Sequence, residues 1–429
     1  MLGKTGDRGF GGAPRYSSRD DPRPTMIVAV SSHPAQYRAP LYRFLSRQPD
    51  TAIHAVYLRD THVRESYDPD FAAVFRWATN LLGGYESQFL QDSTQQRRFS
   101  FRRSLFATFA AVRQAVRTVS SPRGVLLHSY VTPEGLGGLL AAKASRLPAM
   151  LMSESELLRP RSLSKRTLRN LILPPVLKLY DALLCIGTHN RSFYQHYGVR
   201  EERLFFTPYC VDNVGFLVGF DQHLAARDAT RTELGAGPTD RVLLFAGKLI
   251  ERKRPLDIIR AVATLEPALR PVVVFMGSGQ LASNIREIAT TLGVGKYAIT
   301  GFKNADEIGR YYAAADAFVL PSDFETWGLV VNEAMVHALP TIVSDRCGCA
   351  IDLVQDGRTG YRFPAGDTVA LADRIGRVLR HEGQRRAMGA SARALIDSWS
   401  FAEVELGMKK ALAFLAPSAA DRDGLITRG

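Results

Sequence analysis

Short apolar runs recur along the chain, each bounded by Gly, Pro or Asn and separated from the next by a longer stretch with helical spacing. This alternation is typical of strands and helices arranged around parallel sheets. The pattern predicts six strands in each half of the chain. In the first half they are 26–30, 53–58, 124–128, 149–154, 182–187 and 203–208. In the second half they are 241–247, 272–277, 298–301, 317–322, 341–345 and 360–363.

The same architecture repeated without a fixed sequence period predicts an α/β protein with two doubly wound, Rossmann-like domains facing each other across a cleft. A chain of 429 residues is long enough for two domains with separate cores. We expect a first domain at 26–213, a second at 214–398, and a helix at 399–416 that can close either domain, either by packing back on the first or by staying with the second. Residues 1–25, rich in Gly, Arg, Asp, Ser and Pro, are expected to be a disordered leader, and 417–429 a flexible tail.

The most informative segment is 317–335, where a predicted strand turns at Pro321 and continues through Gly328 into a helix. The N-terminus of that helix presents unpaired backbone N–H groups and a partial positive charge, which bind phosphate oxygens. Glu325 precedes the helix and Glu333 lies about one and a half turns inside it. One carboxylate can therefore face a sugar while the other reaches a ribose, although an isolated pair of this kind is usually just two solvated side chains.

Residues 321–345 resemble the corresponding block of the family-4 glycosyltransferases (glycosyltransferase group 1), which are retaining enzymes of the GT-B fold with two glutamates separated by seven residues. The likeness includes Asn332-Glu333-Ala334-Met335 and continues to Gly360, with a departure at Ala338, where the family usually has Gly. The resemblance implies a retaining hexosyltransferase that takes its donor, a nucleoside diphosphate sugar, in the second domain. It implies donor contacts from Glu333, Thr326, Trp327, Gly328, Leu329, Val330, Gly277, Phe302 and Gly247, and a catalytic role for Glu325.

A basic loop follows the first strand of the second domain and places Lys248 and Lys253 five residues apart. Cations there would neutralise the diphosphate and the charge that develops on it as the sugar leaves. The family usually has Arg then Lys at these positions, so Lys248 keeps the charge but loses bidentate hydrogen bonding. We predict both lysines as catalytic; taken alone, such a loop is more often simply solvated.

The first domain is expected to supply the acceptor side. Its opening strand leads into a loop with Tyr37 and Arg38, and Glu154 ends a later strand at a position where many family members carry His. His128 resembles the active-site histidine of the family and is predicted to be catalytic, near the transferring sugar. The acceptor is expected to be a lipid-linked or cell-surface glycan, as in polysaccharide biosynthesis, or a small glycoside.

The net charge of +13 is concentrated in part in two stretches without acids, 97–117 and 159–178. The first reads as an amphipathic helix with an apolar stripe of Phe101, Leu105, Phe109, Val112 and Val116. Peripheral contact with an anionic membrane is one interpretation, and an ordinary helix with a solvated basic edge is the other. Nucleic acid is not expected as a partner, because the aromatic residues lie on the apolar stripe and no binding module is recognised.

The longest apolar runs, such as 242–246, are about five residues, against the ~20 that span a bilayer. Four cysteines form neither a disulfide framework nor a zinc pattern, so we expect a cytoplasmic protein, with the inner face of the cell membrane as a further expected place. No Asp-x-Asp metal motif follows a strand, so no cofactor and no metal is expected. A sugar-nucleotide epimerase of the same architecture and a non-catalytic sugar-nucleotide-binding protein are the alternative functions.

Overall fold

The computed structural model of the protein describes residues 25–61, 63, 66–68, 73–75, 79–90, 100–159 and 162–416. The predicted leader, apart from Thr25, and the predicted tail lie outside this range. So does the start of the basic stretch 97–117, up to residue 99.

The first half of the chain forms a seven-stranded parallel sheet. Its elements in chain order are β1 (Met26–Ser31), α1 (Arg38–Leu45), β2 (Ala52–Tyr57), β3 (Ser66–Asp68), β4 (Ala73–Phe75), β5 (Glu86–Phe89), α2 (Phe101–Thr118), β6 (Pro122–Leu127), α3 (Pro133–Ala144), β7 (Ala149–Leu151), α4 (Leu163–Lys178), β8 (Ala182–Cys185), α5 (Thr188–His196) and β9 (Leu204–Phe206). The strand order is β5-β2-β1-β6-β7-β8-β9, while β3 and β4 form a separate antiparallel pair. All six predicted strands are present, and β5, which was not predicted, extends one edge.

The second half forms a six-stranded parallel sheet in the order β12-β11-β10-β13-β14-β15. Its strands are β10 (Val242–Ala246), β11 (Val272–Met276), β12 (Tyr297–Gly301), β13 (Ala317–Leu320), β14 (Thr341–Ser344) and β15 (Gly360–Phe363). Its helices are α6 (Asn213–Leu217), α7 (Phe220–Ala225), α8 (Arg227–Glu233), α9 (Pro255–Ala263), α10 (Ala282–Thr291), α11 (Ile308–Ala314), α12 (Leu329–Val336), α13 (Ala350–Leu353), α14 (Thr368–Arg380), α15 (Glu382–Ile396) and α16 (Phe401–Phe414). The strands β10, β11, β13 and β14 are buried at every position, because helices cover both faces of such a sheet. The predicted fold class is confirmed.

The last helix, α16, packs on the first sheet. Phe401 lies 5.8 Å from Phe44 of α1, and Phe414 lies 5.5 Å from Phe205 of β9, measured between ring centroids. Gly407 faces the carbonyl oxygen of Phe206, where a Cβ would approach to 1.9 Å. The chain therefore crosses back to the first half after completing the second sheet.

The buried face of α2 differs from the predicted apolar stripe. Its buried residues are Ser104, Thr108, Val112 and Ala115, whereas Phe101 is 54% exposed. The reason is a close helix contact: a Cβ on Gly137 of α3 would lie 2.4 Å from the carbonyl oxygen of Leu105. Small side chains fit this contact, so the larger ones turn toward the margins of the helix. The prediction was right for Val112 and wrong for Phe101.

Candidate functional site

A cavity of about 520 Å³ opens between the two sheets, at the carboxyl ends of their strands. This is where ligands bind in open parallel sheets. Both halves of the chain contribute side chains to it. Its lining includes Tyr37, Glu154, Tyr209, Gly247, Lys253, Gly277, Phe302, Glu325, Thr326, Trp327, Gly328, Leu329, Val330 and Glu333. Every predicted donor-binding residue thus lies on one wall, formed by the second half of the chain. Of the predicted acceptor-side residues, Tyr37 and Glu154 lie on the opposite wall, formed by the first half, whereas Arg38 does not line this cavity.

The turn between β13 and α12 places backbone N–H groups at the cavity. Gly328 caps α12 with φ 103°, a left-handed conformation that is costly for residues with a Cβ. The helix then begins at Leu329, and its first residues line the cavity. The partial positive charge of this helix N-terminus is therefore directed at the space where a phosphate would lie.

Glu325 and Lys253 form an ion pair on the cavity wall. Lys253 Nζ lies 2.5 Å from Glu325 Oε1, and both side chains are only about a tenth exposed. The Ser322 hydroxyl donates to the same oxygen at 3.1 Å, and Arg252 Nη1 lies 3.5 Å away. Because a largely buried pair is screened less than a surface pair, the two side chains hold each other in position beside the cavity.

Lys248 does not line this cavity, in contrast to Lys253 five residues later. The loop is tightly packed beneath it: a Cβ on Gly277 would lie 1.9 Å from the carbonyl oxygen of Gly247. A Cβ on Gly247 would lie 3.9 Å from Lys253 Nζ. The glycines therefore let β10 and β11 end close together, with Lys253 directly above them.

Glu333 lines the cavity wall formed by the second half of the chain and is hydrogen-bonded to a tyrosine. The Tyr312 hydroxyl donates to its Oε2 at 2.7 Å. Burial raises the pKa of Glu333 to about 7, and the hydrogen bond from Tyr312 opposes part of that rise. The ring of His337 stacks on Tyr312 at 4.8 Å, and burial lowers the pKa of His337 to about 4. Glu333 is thus a carboxyl group that titrates near neutral pH in the cavity.

Glu154 accepts three hydrogen bonds on one oxygen on the opposite wall. The donors to Oε1 are the hydroxyl of Tyr209 at 2.6 Å, Arg38 Nη2 at 2.9 Å and the hydroxyl of Tyr37 at 3.2 Å. Burial, first of all, raises the pKa of Tyr209 well above its usual value, so this hydroxyl stays a donor. The cluster fixes the Glu154 carboxylate at the edge of the cavity.

His128 lies behind this cluster and does not line the large cavity. It borders a small pocket shared with Tyr37, Arg38, Glu154 and Tyr209. Its Nε2 is 2.6 Å from the Tyr42 hydroxyl, and its Nδ1 is 3.2 Å from the carbonyl oxygen of Met152. Burial, followed by the neighbouring Arg38 charge, lowers its pKa well below the usual value. His128 is thus a neutral group that supports the wall, one layer from the cavity.

Tyr209 links the two walls and was not among the residues predicted for the site. Asn332 of α12 donates through Nδ2 to the Tyr209 carbonyl oxygen at 3.0 Å, and accepts from Trp327 Nε1 at 2.9 Å. The Tyr209 hydroxyl meanwhile donates to Glu154. The sequence signal that could have identified Tyr209 is its position three residues after the last strand of the first sheet, since the other site residues also follow strand ends.

Within the described ranges, no set of three or more His, Cys, Asp or Glu side chains is arranged to hold a metal ion. None of the helices in those ranges combines the length and apolar character that a bilayer crossing requires.

Residues 226–395 match the family model described as "Glycosyl transferases group 1". The sulfoquinovosyl transferase SQD2 of Arabidopsis thaliana is 31% identical over 174 residues, which cover 40% of this chain and 33% of the plant protein. A D-inositol 3-phosphate glycosyltransferase of Xylanimonas cellulosilytica is 26% identical over 293 residues, covering 66% of this chain and 70% of that protein. The first three curated relatives are matched over about a third to a half of their own length.

Among solved structures, Anabaena HepE in complex with UDP and glucose superposes with a TM-score of 0.66 at 17% identity, covering 90% of this chain and 99% of that one. At this identity the likeness shows the fold, which is GT-B. The predicted resemblance to group 1 glycosyltransferases is confirmed. Assignment to family 4 within that group stays a prediction.

Proposed function

We propose that this protein is a retaining hexosyltransferase that uses a nucleoside diphosphate sugar. The proposal starts from the match of residues 226–395 to the group 1 glycosyl transferase model and from the GT-B fold. The observation that carries the proposal is the position of the Lys253–Glu325 pair beside the N-terminus of α12, on one cavity wall. A cation and a helix N-terminus suit a diphosphate, and a carboxylate suits sugar hydroxyls. UDP and glucose in the complex of HepE, which has the same fold, support a donor of this class.

In the proposed reaction the bond between the sugar C1 and the diphosphate oxygen breaks, and a bond forms between C1 and an acceptor hydroxyl on the same face. Lys253 and the N-terminus of α12 stabilise the charge that develops on the leaving diphosphate. The departing phosphate takes the acceptor proton. Glu325 orients the sugar hydroxyls and Glu333 the ribose, while Glu154, held by Tyr37, Arg38 and Tyr209, positions the acceptor. We propose that no metal ion is needed, since cationic groups serve the diphosphate.

The direct test is a thermal-shift screen of nucleoside diphosphate sugars, followed by product analysis with the donors that bind. A ligand at about 100 times its dissociation constant stabilises a protein by ~2.7 kcal/mol. Transfer or slow hydrolysis with retained configuration at C1 is expected. Epimerisation of the donor in the absence of an acceptor would show a sugar-nucleotide epimerase instead. Tight donor binding without turnover over a broad acceptor panel would show a non-catalytic binding protein.

The pKa of Glu333 near 7 predicts pH-dependent donor binding. The ribose hydroxyls donate to the ionised carboxylate, so binding below pH 7 first requires loss of a proton. Affinity is expected to be about tenfold weaker at pH 6 than at pH 8 and to level off above that. Calorimetry with a nucleoside diphosphate sugar is the measurement, because its diphosphate diester does not titrate in this range. Glu333→Gln should bind weakly with little pH dependence; an unchanged pH profile in that variant would remove the assignment.

We further propose that α4 contacts an anionic membrane near the acceptor. Leu163, Leu168 and Leu171 are 78%, 58% and 76% exposed, and the helix contains basic side chains and no acid. Exposed leucines among cations are typical of helices that lie in a bilayer interface. Sedimentation with vesicles containing phosphatidylserine should occur at low salt and be lost in Leu168→Asp/Leu171→Asp. Leu292→Asp, on the second half of the chain and 40% exposed, is the matched control. No sedimentation of the wild type would leave the solvated basic helix as the correct interpretation.

A further inference from the structure

A second cavity, of about 500 Å³, lies at the junction of the two halves and is lined by three arginines. Arg159 comes from the first half, and Arg252 and Arg346 come from the second. Asp323 and Phe324 complete its lining. Three guanidinium groups against one carboxylate leave this cavity strongly positive.

Each arginine has a contact with a neighbouring residue. Arg346 Nη1 donates to the carbonyl oxygen of Leu158 at 2.9 Å, which joins the two halves of the chain. Arg252 Nη1 donates to the carbonyl oxygen of Phe324 at 3.0 Å, and the guanidinium of Arg159 lies 5.8 Å from the centre of the Phe324 ring. A guanidinium carries five N–H donors, and the two hydrogen bonds named involve only Nη1 of Arg346 and of Arg252. Arg346 and Arg252 are therefore each oriented by a backbone carbonyl and keep further N–H donors, while Arg159 and Arg252 are exposed to solvent.

The arginine cavity and the donor cavity share no lining residue but lie on two sides of one loop. Asp323 and Phe324 face the arginine cavity, and Glu325 and Thr326 face the donor cavity. Likewise, Arg252 faces the arginine cavity and Lys253 faces the donor cavity. Arg252 Nη1 nevertheless reaches to 3.5 Å from Glu325 Oε1. A group bound by the arginines would therefore lie one side chain away from the site proposed for the transferring sugar, and apart from the donor diphosphate.

We propose that the arginine cavity binds a phosphate or diphosphate group carried by the acceptor, a claim that rests on the proposed transferase function. Planar guanidinium groups bind phosphate oxygens in pairs of parallel, charge-assisted hydrogen bonds. Both halves of the chain supply arginines to this cavity, which fits a substrate that binds in the cleft between the halves. The phosphate belongs either to a membrane lipid or to a soluble sugar phosphate; α4, with its exposed leucines, begins four residues after Arg159.

Calorimetry with inorganic pyrophosphate tests the site. The protein is first saturated with the nucleoside diphosphate selected by thermal shift, so that the donor site is filled. A remaining pyrophosphate binding event is expected at low salt, weakened about tenfold by Arg346→Ala or Arg159→Ala and lost in the double variant. Arg346→Lys should restore only part of the affinity, because it keeps the charge without the bidentate geometry.

The matched control is Arg200→Ala/Arg386→Ala, which removes one exposed arginine from each half of the chain, with side chains 75% and 78% exposed. Pyrophosphate binding that is the same in both double variants would overturn the proposal. Unchanged nucleoside diphosphate affinity in Arg159→Ala/Arg346→Ala shows that the cleft is intact. If no nucleoside diphosphate binds to the wild type, the proposed function fails. Pyrophosphate binding that depends on the arginines is measured separately, so the two failures can be told apart.

Vesicles distinguish the two sources of the phosphate. Phosphatidylcholine vesicles with 20 mol% phosphatidic acid, about one lipid in five, present a phosphomonoester at a membrane surface. A lipid source predicts that Arg159→Ala/Arg346→Ala loses vesicle binding while the control double variant keeps it. A soluble source predicts that pyrophosphate binding is lost and vesicle binding is unchanged. Either result supports a phosphate site at these arginines.

Discussion

Replacing Lys253 by Ala is expected to lower the rate of sugar transfer by about 10²–10³-fold, measured as kcat with a nucleoside diphosphate sugar. Lys253 lines the cavity beside the N-terminus of α12, where the proposed reaction develops negative charge on the leaving diphosphate. The substitution also leaves the Glu325 carboxylate, about a tenth exposed, with only Ser322 and the more distant Arg252 as partners. A loss of thermal stability is therefore expected together with the loss of rate.

Two companion variants separate charge from packing. Lys253→Arg keeps the cation and should recover part of the rate, whereas Lys253→Met keeps the aliphatic stem and should not. Lys248→Ala is expected to cost less than about tenfold, since Lys248 does not line the cavity. An equal loss for Lys248→Ala and Lys253→Ala would instead restore the original prediction that both lysines act on the diphosphate.

Glu325→Ala is expected to abolish most of the sugar transfer while leaving the affinity for the nucleoside diphosphate nearly unchanged. A hydrogen bond to a charged group contributes about 1.5–3 kcal/mol, which corresponds to a factor of roughly 10 to 150. Because the sugar hydroxyls are the proposed partners, donor sugars that differ in one hydroxyl should also be discriminated less. The measurements are kcat and KM for several donor sugars, with calorimetry for the nucleoside diphosphate.

Glu333→Gln is the crossed control for Glu325→Ala. It should weaken the binding of the nucleoside diphosphate itself, since Glu333 is the proposed ribose partner, and affect sugar discrimination less. The two carboxylates lie on the same wall and differ in their partners, Lys253 for one and Tyr312 for the other. Full transferase activity in Glu325→Ala would show that the site is wrongly assigned.

Hydrogen bonds from Trp327 to Asn332 and from Asn332 to Tyr209 connect the cavity wall of the second half with that of the first half. Trp327 packs 5.2 Å from Trp399, which precedes α16, and Thr188 of α5 donates its amide to Asp352 at 3.0 Å across the same junction. These contacts join the two halves directly behind the cavity.

Much of the second half was predictable from the sequence because its signals are local. The buried parallel strands appear as continuous apolar runs, as in Val242–Ala246 and Val272–Met276. Seven of the residues that line the second-half wall of the cavity lie between Glu325 and Glu333, so their order along the chain already implies that they lie together. Edge strand β5, with the sequence Glu-Ser-Gln-Phe, lacks such a run and was missed.

The sequence indicated Tyr37, Arg38 and Glu154 for the acceptor side, but only the tertiary structure decided how they meet one another and Tyr209, and only it decided the arginine cavity. Glu154 meets Tyr37 and Tyr209, which are 117 and 55 residues away in sequence. Arg159 meets Arg252 and Arg346 only because the two halves pack together. No periodicity encodes such distances, since they depend on how whole sheets and helices stack. For the same reason the pattern of α2 gave the helix but not its buried face, which the close approach of Gly137 determines.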